Sequence, residues 1–151
     1  VTHGIDTGFL VAAEIVGHAD HAAARALLAR LLGAGDRLAL APQVLAEFLH
    51  IVTDARRFAR PLDMPTARSI ALQWWTAREV EHAFPDDEAT QHFLAWMDKH
   101  RLGRKRLLDT QLAATYRRAG LMSLLTTNPG DFEVLGEFTC LVPANETTVG
   151  E

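Results

Sequence analysis

The chain has 151 residues, which suits one domain able to bury a core without disulfides or a structural metal. Its composition, 48% hydrophobic and 23% charged, is globular rather than disordered. Fifteen Lys+Arg against 19 Asp+Glu give a net charge of -4, which argues against a basic nucleic-acid coating protein but not against an enzyme that grips RNA or DNA through a local basic patch.

Residues 3–6 (HGID) read as a short first strand, followed by a helix from Thr7 to about Val16. Residues 18–32 are rich in Ala and Leu and predict a helix that Gly33 and Gly35 end. Residues 37–41 (RLALA) form an apolar strand, and Pro42 suits the first turn of a helix running to about Ala55. A loop with two prolines covers residues 56–65. A helix over 66–78 places Ile70, Trp74 and Ala77 at helical spacing, and residues 80–84 alternate as a strand. Residues 86–100 and 107–119 are helical, the second stopping at Gly120. A strand over 121–127 (LMSLLTT), a short helix from about Pro129 to Leu135 and a strand over 138–142 complete the pattern. This alternation predicts an α/β fold with a mostly parallel sheet of four or five strands and helices on both faces. In such sheets ligands bind beyond the carboxyl ends of the strands.

The lone cysteine, Cys140, has no internal partner, which fits a reducing compartment. The first residues lack a basic leader and carry Asp6 and Glu14 among apolar neighbours, and no run approaches the ~20 apolar residues of a membrane span. These features lead to the expectation of a cytoplasmic single domain over residues 1–151, away from membranes.

Four acidic places fall near strand ends. Asp6 follows the first strand, where it can cap the next helix or hold a metal. Glu47, in VLAEFLHIV, lies within about 60° of Val44 and Ile51 on the helical wheel, beside an apolar face. A carboxylate there needs a cation, a proton or a partner such as Arg56 or Arg57. Asp109 begins a helix beside its buried stripe, where it suits the positive helix end or an i,i+4 pair with Lys105. In TTNPGDF, Asn128 can cap a helix and Asp131 can reach the same edge from its first turn. Taken together, these carboxylates with no His or Cys ligand set favour Mg²⁺ or Mn²⁺. Such ions activate water for attack on a phosphodiester.

IDTGFLVA near the start, AEF around Glu47, LLDTQLAA around Asp109 and LLTTNPGDF near the end, in that order, resemble PIN-domain ribonucleases, above all the VapC-like toxins of type II toxin–antitoxin systems. HADHAAARALL, residues 18–28, looks like the second helix of that family. The resemblance implies a three-layer α/β/α sandwich and an endoribonuclease that uses Mg²⁺ or Mn²⁺. Asp6, Glu47 and Asp109 match its acidic positions, and Thr7 matches the Ser/Thr beside the first Asp. Asn128 stands where many PIN domains carry Asp, so Asp131 is taken as the fourth acid and Asn128 as a polar pocket residue. Asp6 and Asp109 are expected to hold the principal metal. Glu47 and Asp131 would complete its shell, orient the attacking water or support a second ion. The resemblance also implies an RNA substrate, a homodimer and a cognate antitoxin. The competing reading is a PIN-like scaffold that binds RNA or protein without catalysis.

Two basic clusters, Arg101 with Arg104, Lys105 and Arg106, and Arg56 with Arg57 and Arg60, suit RNA phosphates. Arg104, Lys105 and Arg106, just ahead of Asp109, are the chosen RNA-binding residues. Trp74, Trp75 and Trp96 sit at helical positions and are read as packing residues, with one of the adjacent pair left facing outward. His18 and His21 lack the further ligands of a zinc site and are read as a helix start.

Overall fold

In chain order the elements are β1 (Thr2–Ile5), α1 (Thr7–Glu14), α2 (His21–Gly33), β2 (Arg37–Leu40), α3 (Pro42–Val52), α4 (Met64–Thr76), β3 (Val80–His82), α5 (Asp87–Lys99), α6 (Leu107–Arg118), β4 (Ser123–Leu125), α7 (Gly130–Glu133) and β5 (Thr139–Leu141). A 3-10 turn at Arg104–Arg106 leads into α6. This computed structural model describes residues 1–144. The five strands form one sheet in the order β3-β2-β1-β4-β5, and every neighbouring pair is parallel. The expected α/β architecture is therefore present, with five strands and no antiparallel pair among the described residues.

Both faces of the sheet are covered. His3, Gly4 and Ile5 are all buried, as are Leu38, Ala39 and Leu40. Successive strand residues point to opposite faces, so an unbroken buried run requires helices on each side. α1 packs on α2 and α3, and α3 packs on α4, while α5 pairs closely with α6 and α6 meets α7. No helix among the described residues is long and apolar enough to cross a membrane.

Several elements begin or end elsewhere than the sequence pattern predicts, and polar contacts at their ends account for it. α2 begins at His21 because the backbone N–H of Asp20 donates to His18 Nδ1 at 3.0 Å, holding residues 18–20 in a turn. α4 begins two residues early because Asp63 accepts from the Thr66 N–H at 2.7 Å, with Pro65 in the first turn. β4 stops at Leu125, and the Thr126 hydroxyl turns toward the sheet edge.

Two buried polar residues tie the strands at opposite ends. At the amino edge, His3 bonds Ser123 Oγ through Nδ1 at 2.5 Å and Asp36 Oδ2 through Nε2 at 2.8 Å, joining β1, β4 and the approach to β2. Near the carboxyl edge, the fully buried Tyr116 hydroxyl donates to the Ile5 carbonyl at 2.6 Å and accepts from the Ala41 N–H at 3.3 Å. The Tyr116 ring lies against Gly4, where a Cβ would stand only 2.6 Å from its Cδ2 atom. A glycine here lets α6 pack directly on the central strand.

Candidate active site

The chain leaves β1 toward β2 on one side, while β4 lies on the other. A crevice forms at such a reversal, beyond the carboxyl ends of the strands. A pocket of about 530 Å³ opens there, and Asp6, Thr7, Glu47, Asp109, Asn128 and Asp131 all line it. The connectivity explains how residues more than a hundred positions apart meet. Asp6 and Asn128 follow β1 and β4. Glu47 lies in the second turn of α3, which starts from β2. Asp109 lies in the first turn of α6, which returns toward β4 and so begins at the carboxyl edge. Asp131 lies in α7.

Asp6 both caps α1 and faces the pocket. One carboxylate oxygen accepts from the Thr7 N–H at 2.8 Å and the other from the Thr126 hydroxyl at 2.9 Å. Thr126 Oγ1 in turn accepts from the Asn128 N–H at 3.0 Å. Asp6 is only 7% exposed, and burial pushes its pKa up to about 6. The bonds from Thr126 and Thr7 oppose that rise, and the charges of Glu47 and Asp131 add to it. Asp109 is pushed further, to about 7, by burial first, then by the charges of Asp6, Asp131 and Glu47 and a hydrogen bond with Asp131. Glu47 finds its partner in the Thr7 hydroxyl, which donates to Oε2 at 2.9 Å. The arginines proposed for it, Arg56 and Arg57, pair with Asp54 instead.

Among the described residues no arginine or lysine lies within ion-pair distance of Asp6, Glu47 or Asp109, so the proposed Lys105–Asp109 pair does not form. Asp131 is different: Arg106 Nη1 donates to its Oδ1. Arg104 and Lys105 are exposed and do not line the pocket. Asn128 makes no side-chain cap on α7, contrary to one sequence reading, and lines the pocket.

Oxygen-only donors, with the pKa values of Asp6 and Asp109 raised by burial and by neighbouring carboxylates, fit a hard divalent cation, which would relieve their repulsion. Among the described residues no three His, Cys, Asp or Glu side chains are gathered tightly enough to grip an ion outright. Mg²⁺ keeps several waters and takes one or two carboxylates plus substrate phosphates, so it does not require such a cluster. Asp6 is the most buried of the four acids, and Asp109 has the pKa raised furthest.

His18, Arg57 and Phe58 also line the pocket, together with Ile51 and Val11. The sequence offered Arg57 as a phosphate contact and passed over Phe58, Ile51 and Val11 as pocket residues. His18 was read only as a helix start, although its place in the loop after α1 puts it at the same edge. Gly8 and Thr127 form a close pair: a Cβ on Gly8 would lie 2.7 Å from Thr127 Oγ1 and 4.0 Å from Asn128 Nδ2. The absent side chain leaves the pocket floor open.

Comparison with known families is decisive at this point: the PIN domain family model matches residues 5–137. The chain belongs to the PIN domain family. No curated protein matches this PIN domain. Among solved structures, VapBC-1 from nontypeable Haemophilus influenzae is similar with a TM-score of 0.66 at 15% identity, covering 94% of this chain and 98% of that one. VapBC2 from Rickettsia felis, bound to a promoter DNA fragment, gives a TM-score of 0.65 at 16% identity, with coverages of 94% and 98%. VapC20 from Mycobacterium tuberculosis, described as a sarcin-ricin loop cleaving toxin, gives 0.61 at 19% identity, covering 82% of this chain and 87% of that one. These likenesses establish the shared fold.

Proposed function

We propose that this PIN domain is a Mg²⁺- or Mn²⁺-dependent endoribonuclease and the toxin of a toxin–antitoxin pair. The observation that carries the reading is the meeting of Asp6, Glu47, Asp109 and Asp131, from four separate segments, in one pocket at the sheet's carboxyl edge. A pure binding scaffold has no need of a buried carboxylate whose pKa is raised to about 6. The toxin and toxin–antitoxin structures among its neighbours support the biological setting.

When bound, the cation lowers the pKa of a water and offsets charge on the phosphodiester. Asp6 and Asp109 are its principal holders. The Thr7 hydroxyl and the Thr126 hydroxyl fix Glu47 and Asp6 in orientation. Glu47, held in this way, orients the attacking water and accepts its proton. His18 accepts a hydrogen bond at Nδ1, so in its neutral form the proton sits on Nε2. It thereby offers the pocket wall a donor for a phosphate oxygen. Arg57 supplies a charge on the same wall, and Phe58 a face for a base.

An antitoxin and a second copy of the chain are the proposed protein partners, in the cytoplasm. For the copy, an apolar groove lined by Leu45, Leu49, Leu72 and Trp75 between α3 and α4 offers a surface.

Purified protein should cut RNA only with Mg²⁺ or Mn²⁺ present. Asp6→Asn and Asp109→Asn should each lose more than about 100-fold in cleavage, since even outer-shell partners of a metal typically contribute 10- to 100-fold. Undiminished cleavage by both variants, folded by circular dichroism, overturns the site; failure of the wild type to bind Mn²⁺ favours the scaffold.

A further inference from the structure

Asp131 stands apart from the other three acids because it already has a cation. Arg106, the last residue of the 3-10 turn and the residue preceding α6, places its guanidinium on the Asp131 carboxylate. The ion pair is half-buried, with side-chain exposures of 37% and 32%. Arg106 and Asp131 lie 25 positions apart, one at the entry to α6 and the other in α7. Asp131 also reaches inward, lining the pocket with Asp109. Arg106 itself does not line the pocket. It therefore holds the fourth acid from outside.

We infer that Arg106 is a positioning residue that fixes Asp131 and takes up its charge, so that the pocket holds one divalent cation through Asp6 and Asp109 and no second one. The inference rests on the metal-dependent reading above and settles which acids are free to serve it. Three carboxylates with no basic partner among the described residues, Asp6, Glu47 and Asp109, the last also hydrogen-bonded to Asp131, remain for one doubly charged ion. A second ion would need Asp131 free, and the fixed guanidinium both competes for that carboxylate and repels the ion. Arg106 is thereby removed from the RNA-contacting cluster to which the sequence assigns it, and Arg104 and Lys105 are left as its exposed members.

Mn²⁺ titration of the metal-free protein, read by calorimetry and by the paramagnetic resonance signal of free Mn²⁺, tests this without cleavage. The wild type is expected to bind one ion per chain. Asp131→Asn should still bind one ion but about three- to tenfold more weakly, because it leaves the Arg106 charge uncompensated beside the pocket, whereas Asp6→Asn should abolish binding. Arg106→Gln should bind Mn²⁺ about three- to tenfold more tightly or gain a second site, with Arg106→Lys restoring wild-type behaviour. Two ions bound by the wild type, or identical titrations for wild type and folded Arg106→Gln, overturn the inference alone. No Mn²⁺ binding by the wild type overturns the metal-dependent reading and this inference with it.

Discussion

Asp6 carries two duties that are usually separate. It satisfies the first N–H of α1, as any helix-capping aspartate would, and it presents a buried charge to the pocket. The cost of the second duty is readable as a function of pH. Its folded-state pKa of about 6 lies above the ordinary value of 3.8, so the folded chain binds this proton more tightly than the unfolded chain. The associated stability is present in full below about pH 4 and is lost as pH rises through about 6. At pH 8 the penalty for Asp6 is roughly 3 kcal/mol. Asp109 shifts in the same direction, being raised to about 7. Metal-free Asp6→Asn should therefore melt several degrees above wild type at pH 8 and lose that advantage near pH 4. Added Mn²⁺ should raise the melting temperature of the wild type and not of the variant. Equal melting curves at pH 8 would mean that burial of Asp6 is fully compensated by Thr126 and Thr7.

At the scale of elements, Tyr116 and Gly4 determine how α6 meets β1. Gly4→Ala forces the ring away or shifts the helix, because the nearest atoms are a buried ring and the side chain of Leu124. The expected loss is on the order of 1–3 kcal/mol by chemical denaturation, and Asp109, on the same helix, should lose Mn²⁺ affinity with it. Retention of wild-type stability would show that α6 is not seated by this contact. The strands and helices were legible from their apolar spacing, and so was the placement of Asp6, Glu47 and Asp109 after strands or at helix starts. Their ends were less so. The true start of α2 depends on a bond from Asp20 to His18, and that of α4 on Asp63, both local polar contacts that periodicity does not register. Likewise, no pattern within the chain pairs Arg106 with Asp131, because the partners lie on different elements.

Across the whole molecule, the pocket is asymmetric. Its floor is acidic, while His18, Arg57 and Phe58 lie along one wall. The sequence placed the RNA-binding residues ahead of Asp109, since that cluster is the denser one along the chain. Of the second basic cluster that the sequence offered, Arg56, Arg57 and Arg60, folding brings Arg57 into the pocket lining from the loop after α3. Arg57→Ala should weaken binding of single-stranded RNA in chelator and reduce the slope of log K against log salt by about 0.7, the loss of one phosphate contact. An unchanged slope would take Arg57 out of the RNA path. The net charge of -4 equals in number the four pocket acids, so the bulk charge says little about the partner.

The bond from Thr126 to Asp6 joins residues 120 positions apart, and β1 gains its β4 neighbour only at Leu124 and Leu125. During synthesis the amino-terminal acid thus waits for almost the whole chain before it is braced. At about 5–20 residues per second this delay is on the order of ten seconds. The pocket at the sheet's carboxyl edge is therefore among the last parts of the described fold that synthesis can complete, and its chemistry can begin only after that interval.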